Sequence, residues 1–236
     1  MGSVSVIIPT TGASFLREAV ASVRAQTCGD VRICLVVDGP EFVEPARAAI
    51  EGVDMAGVGV CVLPENVGRD GFYGHRVYAA FSHLVNTDYV SFLDQDNWFE
   101  PDHLENLVRA IEQHGWDWAF ALRRVVSQEG APLIRDESQS IGPWGAPSRQ
   151  FIDTNCYCLK TPVAGRVASH WHGGWGQDRV FYAELSKAFP NFGCAGRYTV
   201  NYRTRPDLQP RVMALLRQEN AATQARHPDG LPWLAA

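Results

Sequence analysis

Several signatures that would place this 236-residue chain in a large class are missing from it. No G-x-G-x-x-G follows the first apolar run, which argues against an ordinary dinucleotide-binding fold. No G-x-x-x-x-G-K-[ST] loop is present, which argues against a P-loop nucleotide hydrolase. No apolar stretch approaches the roughly 18 residues that cross a bilayer, and the N-terminus lacks the layout of a signal peptide. There is no basic excess either: the formal charge is −5, so no positive field points to nucleic acid. None of the six cysteines (28, 34, 61, 156, 158 and 194) forms a C-x-x-C pair. Cys156 and Cys158 could share one face of a strand, but no matching His or Cys completes a zinc set. Reduced, mostly buried thiols in a cytoplasmic protein are the expectation.

What is present suits one large α/β domain. The chain is 46% hydrophobic and 20% charged, ordinary for a globular fold with a substantial core. Val4 to Pro9 reads as a buried strand, and Ser14 is placed to cap a helix whose stripe is Leu16, Ala19, Val20 and Val23. Val31 to Val37 is a second strand, closing on Asp38-Gly39-Pro40; Glu41 to Ile50 follows as a helix. Val58 to Leu63 is a third, leading into Asn66-Val67-Gly68 and a helix from Tyr73 to Leu84. This alternation, at about 25 to 30 residues per unit, predicts a mostly parallel sheet with helices on both faces. Ligands in such sheets bind beyond the carboxyl ends of the strands, so Pro9-Thr10, Asp38 and the end of the fourth strand should meet at one rim.

That fourth strand carries the chain's most telling stretch. Tyr89-Val90-Ser91-Phe92-Leu93 is apolar and aromatic, and it stops on Asp94-Gln95-Asp96-Asn97. Two carboxylates at a sheet rim are costly unless a cation or water satisfies them, and Mg²⁺ or Mn²⁺ takes such oxygens together with substrate phosphates. The plainer alternative is a solvated turn leading into the next helix, with Pro101 in its first turn. Beyond that helix (Asp102 to His114) the pattern loosens. Strands are expected over Trp116 to Val126, Phe151 to Leu159 and Gly196 to Arg203, and a short helix opens at Thr161-Pro162. An amphipathic helix spans Val180 to Phe189, and a terminal helix with the stripe Val212, Leu215, Leu216 spans Pro210 to Arg226. No repeat and no low-complexity tract interrupts this order.

In this order the pieces resemble an inverting family 2 glycosyltransferase of the GT-A type, over roughly residues 4 to 205. The residues carrying the likeness are Val6-Ile7-Ile8-Pro9-Thr10 with Leu16, Ser22 and Gln26; Val36-Val37-Asp38; Asn66-Val67-Gly68; Phe92-Leu93-Asp94-Gln95-Asp96-Asn97 before Pro101-Asp102-His103-Leu104; and Gly176-Gln177-Asp178-Arg179. The sequence departs from the family pattern at Asn97, where an acid is usual, and at Gln177, where Glu is common. It also lacks the Ala-Arg-Asn that usually follows Asn-x-Gly; Gly74-His75-Arg76 can stand in, with Arg69 as a rival.

The resemblance implies a single GT-A domain: residues 1–98 bind a nucleotide sugar, 99–208 form a smaller acceptor-binding and catalytic region, and 209–236 form a terminal helix and tail. It implies a nucleoside-diphosphate-sugar donor, bound by Pro9, Thr10, Asp38, Asn66, Arg76, Asp94, Gln95, Arg203 and Arg205. It implies Mn²⁺ or Mg²⁺ on Asp94 and Asp96, Asp178 as catalytic base, and Trp175 and Gln177 toward the acceptor. The acceptor is a glycan, a lipid-linked glycan or a small aglycone. The expected location is cytoplasmic, with peripheral membrane contact and a homodimer through the terminal helix both left open. His170 and His172 share a strand-like spacing that could bring them toward the metal or phosphates, but without a third ligand in register they read more readily as surface or loop residues. Two other functions fit parts of the pattern. A sugar-phosphate nucleotidyltransferase shares the sheet and an acid, but it opens on a Gly-rich basic loop that Pro9-Thr10-Thr11-Gly12 is not. A catalytically inactive nucleotide-sugar-binding module is permitted by Asn97 and Gln177.

Overall fold

The computed structural model describes residues 1–234. The first half is a run of parallel strands: β1 (Val4–Thr10), β2 (Val31–Val37), β3 (Val58–Val62) and β4 (Tyr89–Phe92). Every residue of β1 is buried, although its side chains alternate between the two faces. Both faces are therefore covered, which is why this segment reads as continuous apolar sequence. The sheet order is β3-β2-β1-β4, so the chain leaves β1 toward one edge and returns to its other side with β4. That reversal opens a crevice beyond the carboxyl ends of β1 and β4, where Thr10 and Asp94 lie.

The second half extends the same sheet with mixed pairing. β8 (Tyr157–Lys160) runs antiparallel to β4, and β6 (Trp118–Val126) antiparallel to β8. β9 (Phe192–Arg203) runs parallel to β6, while β7 (Pro132–Arg135) and β5 (Trp98–Phe99) pair antiparallel with β6 and β9. The β6–β9 register shifts between Phe120 and Arg123, and such irregularities bend a strand pair. Helices α1 (Leu16–Arg24), α2 (Val43–Ala49), α3 (His75–Phe81), α4 (His103–His114), α5 (Thr161–Val167), α6 (Gln177–Ala188) and α7 (Gln209–Arg226) complete the fold. Between sheet and α6 lies an aromatic cluster in which Trp171 stacks on Phe181 at 3.8 Å and Trp118 on Phe192 at 4.0 Å. No helix among the described residues is long and apolar enough to cross a membrane. All six cysteines are free thiols, four of them buried.

The structure differs from the sequence expectations at several boundaries. Phe151 to Leu159 is not one strand: Asp153 accepts from the Asn155 amide and winds Thr154–Cys156 into a 3-10 turn, leaving only Tyr157–Lys160 in the sheet. This Asx turn takes the backbone donor before a ladder can. The helix expected from Tyr73 begins at His75, because the turn before it puts Asp70 and Tyr73 at positive φ (62° and 52°). Phe15, not Ser14, sits at the N-cap of α1, with no side-chain cap, and α4 starts two residues after Pro101. His170 lies in a 3-10 turn (Ala168–Trp171) that ends just before His172, so the two are not strand neighbours. In α7 the buried face is Met213, Leu216, Asn220 and Thr223, while Leu215 is exposed. The polar Asn220 belongs inside because its amide bonds the Arg135 carbonyl and its oxygen accepts from the Glu137 amide.

Candidate active site

A cleft of about 650 Å³ opens at the predicted rim, lined from one side by Pro9, Thr10, Asp38, Asn66 and Arg69 and from the other by Arg123, Phe151, Asp178 and Tyr202. Asp94, Gln95, Asp96 and Arg203 lie between them, and Trp175 is part of the rim.

On the first side, side chains mainly hold loops in place. Asp38 is buried after β2 and accepts from the amides of Val67 (2.8 Å) and Gly68 (2.9 Å). The Asn66 side chain accepts from the Arg69 amide, closing the same loop. Gln95 is the middle residue of the Asp94-Gln95-Asp96 turn, a D-x-D pattern, and joins this D-x-D turn to the end of β1. Its Oε1 accepts from the Thr10 hydroxyl at 2.7 Å and from the amides of Thr11 and Ala13.

Asp94 and Asp96 have different surroundings. β4 ends at Phe92, so the pair sits in a turn rather than alternating along a strand. Asp94 Oδ1 accepts from the Tyr78 hydroxyl at 2.8 Å and Oδ2 from the Asn155 side-chain amide at 2.9 Å; its own N–H donates to Asn155 Oδ1. Burial, then the charge of Asp153, raises its pKa. The Asp96 carboxylate has no hydrogen-bond partner among the described residues. It is open to the cleft but walled by protein on most sides, and burial followed by the Asp94 charge raises its pKa to about 6. A carboxylate that binds protons too tightly and lacks a donor is suited to a cation. No group of three or more His, Cys, Asp or Glu converges on one point among the described residues. A cation on Asp96 would thus take most of its ligands from phosphate and water, as Mg²⁺ commonly does.

Asn97, the departure from the family pattern, is buried with its Oδ1 accepting from the Arg203 backbone N–H at 2.8 Å. It ties the D-x-D turn to β9. Arg203 lines the cleft but is already engaged: it donates to the Asp96 and Gln128 carbonyls, pairs with Glu18 and lies 4.0 Å over the Phe15 ring.

The second side is organised by groups that sequence reading missed. Arg123 is buried between Asp136 (2.8 Å) and Asp153 (2.5 Å). Asp153 in turn accepts from the Asn155 amide groups, so an unbroken chain of polar contacts runs from Asp94 through Asn155 and Asp153 to Arg123. The available signal was Asp153-Thr154-Asn155, a polar run inside a stretch read as a strand. Asp178, in the first turn of α6, accepts from the Arg179 amide through Oδ1 and has no other partner among the described residues. Burial first, then Asp153, raises its pKa, with Arg123 acting the other way.

Three predicted site residues do not line this cleft. Arg76 lays its guanidinium 3.4 Å over the Phe72 ring and donates to the Val67 carbonyl. Successive residues of α3 point about 100° apart, and His75 takes the cleft-facing direction. Arg69, the rival, does line the cleft. Arg205, past the end of β9, pairs with Asp207 at the surface. Gln177 turns back to donate to the His170 carbonyl at 2.6 Å, bracing the loop that carries Trp175, whose side chain is 84% exposed.

A mostly parallel half-sheet with its cleft at the strand reversal, completed by a mixed half carrying the acids Asp153 and Asp178, defines a GT-A type fold. Residues 5–173 match the model of Glycosyl transferase family 2, and the chain belongs to that family. A protein named "Putative glycosyltransferase EpsH" from Bacillus subtilis (strain 168) is 28% identical over 96 residues, or 41% of this chain and 26% of that protein. The chain thus spans about a quarter of that relative's length. S. aureus TarS 1-349 in complex with UDP-GlcNAc superposes with a TM-score of 0.66 at 14% identity, over 86% of this chain and 59% of that one. Its complex with UDP gives 0.62 at 15% identity, over 94% and 68%. At such identities the likeness establishes the fold.

Proposed function

We propose that the protein transfers a sugar from a nucleoside diphosphate sugar to an acceptor hydroxyl with inversion at the anomeric carbon, using Asp178 as general base. The observation that carries this reading is that Asp96 and Asp178, two carboxylates with uncommitted oxygens and raised pKa values, face one cleft. Family membership and the UDP and UDP-GlcNAc complexes of the TarS fold relatives support a nucleotide-sugar donor.

Asp96 would hold a divalent cation, Mn²⁺ or Mg²⁺, and that cation would supply charge stabilisation to the departing diphosphate. The Asn66–Gly68 loop, pinned by Asp38, and the Thr10 end of β1 shape the nucleotide side. On the other side, the acceptor oxygen forms its bond to the anomeric carbon as the bond from that carbon to the diphosphate oxygen breaks. The acceptor proton passes to Asp178. A base with a raised pKa is closer to the operating pH and takes that proton more readily than an ordinary aspartate. Asp153 cannot serve, because Arg123 and Asn155 already occupy its oxygens. Trp175 at the rim offers a flat face to an acceptor ring.

The test compares wild type with Asp178→Asn. Thermal shift across nucleotide sugars, with and without Mn²⁺, should show the same preferred donor for both proteins. Release of the nucleoside diphosphate should fall by roughly 10² to 10⁴-fold in the variant. An Asn variant that still turns over at the wild-type rate removes Asp178 from the role. A chain that no nucleotide sugar stabilises removes the donor assignment.

A further inference from the structure

We propose that Tyr157 is a positioning residue for the base: in the loaded protein its hydroxyl donates a hydrogen bond to the Asp178 carboxylate and fixes its orientation. This inference rests on Asp178 being the base, and the experiment below separates the two.

Tyr157, the first residue of β8, is wholly buried, and its hydroxyl has no hydrogen-bond partner among the described residues. The indole N–H of Trp171, whose ring centroid is 6.2 Å away, is orphaned in the same way. Buried donors without partners are rare in folded proteins, and each asks for a physical reason. Here the reason lies one helical turn away. Phe181 packs edge-on against Tyr157 at 5.3 Å and face-on against Trp171 at 3.8 Å. Phe181 and Tyr182 follow Asp178 by three and four residues, so all three share one face of α6. The carboxylate therefore sits one turn from Phe181, the ring that packs on Tyr157. Among charged groups, Asp178 acts most strongly on the Tyr157 phenol, second only to burial in raising its pKa.

The carboxylate is free to accept. Its Oδ1 takes the Arg179 amide, and nothing else among the described residues bonds it. The turn carrying it follows Gly173, Gly174 and Gly176, the last at φ +84°, residues whose backbone has the widest conformational range. In this structure that loop is held by His75 against the Gly173 carbonyl (3.0 Å) and by Gln177 against the His170 carbonyl. The proposed hydrogen bond requires a rotation of this first turn that carries the second carboxylate oxygen to the phenol. Burial keeps the phenol protonated, so it acts only as a donor and does not compete for the acceptor's proton. Asp153, Arg123 and Arg179 are the other charged groups that act on Asp178, and Tyr157→Phe alters none of them.

The test is Tyr157→Phe, read by hydrolysis of whichever nucleotide sugar gives the largest thermal shift, with water standing in for the acceptor. Removing an orphaned hydroxyl keeps the ring packing, so the free variant should melt at or above the wild-type temperature. The rate at saturating donor should fall at least tenfold with an unchanged KM. The acid limb of the pH–rate profile should move to higher pH, because the carboxylate loses a donor that favours its charged form. A wild-type rate and limb overturn the inference. So does a lowered melting temperature with an unchanged rate, which would mean the hydroxyl serves only the fold. Asp178→Asn, assayed in parallel, separates the readings. If it is inactive while Tyr157→Phe is normal, only the positioning role fails; if it is active, or if wild type hydrolyses no nucleotide sugar, both fail.

Discussion

Asp94 and Asp96 are two residues apart, yet one supports the site and the other faces it. Asp94 is consumed by Tyr78 and Asn155, which makes it a strut between the two halves of the cleft. Asp96 has no partner and titrates near pH 6, against 3.8 for an ordinary aspartate. The folded chain therefore binds this proton more tightly than the unfolded one. The charged carboxylate costs stability above pH 6, the cost shrinks as pH falls through 6, and it is gone below 3.8. Asp96→Asn, without metal or donor, should accordingly be more stable than wild type at pH 7.5. The expected gain is about 1 kcal/mol once solvent screening of this cleft-exposed group is discounted, and the two melting curves should converge near pH 4. With Mn²⁺ and UDP added, the order should reverse, because only wild type gains from the pair. A variant less stable than wild type without ligand would contradict the account of Asp96 as an uncompensated charge.

The elements that shape the cleft are turns rather than strands, and their glycines are placed by space as much as by φ. Gly68 has an ordinary φ of −83°, so an L-residue could adopt its backbone. What excludes a side chain is contact: a Cβ there would lie 2.2 Å from the Tyr73 carbonyl oxygen and 2.6 Å from Asp38 Oδ2. Gly68→Ala should push the Asn66–Gly68 loop off Asp38, costing about 1–3 kcal/mol in a chemical denaturation. It should also weaken binding of any donor nucleotide, measured by titration calorimetry with UDP. Retained stability and affinity would show that the loop is not held as described. Asn97 teaches a related lesson about the D-x-D turn. Where the family pattern has an acid, the amide at this buried position bonds the backbone of β9, so the departure changes how the turn is anchored.

At the scale of the whole molecule, the C-terminal segment closes the mixed half of the sheet. Arg149 pairs with Glu219, Asn220 bridges α7 to the chain after β7, and Trp233 is fully buried. Its indole N–H bonds the Tyr198 hydroxyl at 3.2 Å, and its ring lies 5.6 Å from that of Trp144. Trp233→Ala should cost about 3–5 kcal/mol by cavity formation and a lost hydrogen bond, read as a lowered urea midpoint. A loss below 1 kcal/mol would mean the tail only rests on the domain. Residues 235 and 236, the end of the expected 209–236 tail, lie outside the described residues.

Sequence alone determined the parts whose physics is local. Continuous apolar runs ending in Thr10, Asp38 and Asp94 had to be buried strands opening on one rim, because parallel strands covered on both faces leave polar residues nowhere else to go. Those ends, taken with Asn66-Val67-Gly68 and Gly176-Gln177-Asp178-Arg179, carried the resemblance to a family, and the resemblance implied a shared site for Asp96, Asp178 and Trp175, which all line the cleft. Tertiary structure alone decided which polar groups are spent. Asn155 reaching Asp94, Arg123 lying between Asp136 and Asp153, and Arg203 engaged by Glu18 are contacts between residues 13 to 185 positions apart. Arg76 and Arg205 fell outside the cleft because a helix face and the end of a strand set their directions. Periodicity reports which face a residue takes, but hydrogen bonding between distant segments decides whether its charge is left free for a substrate.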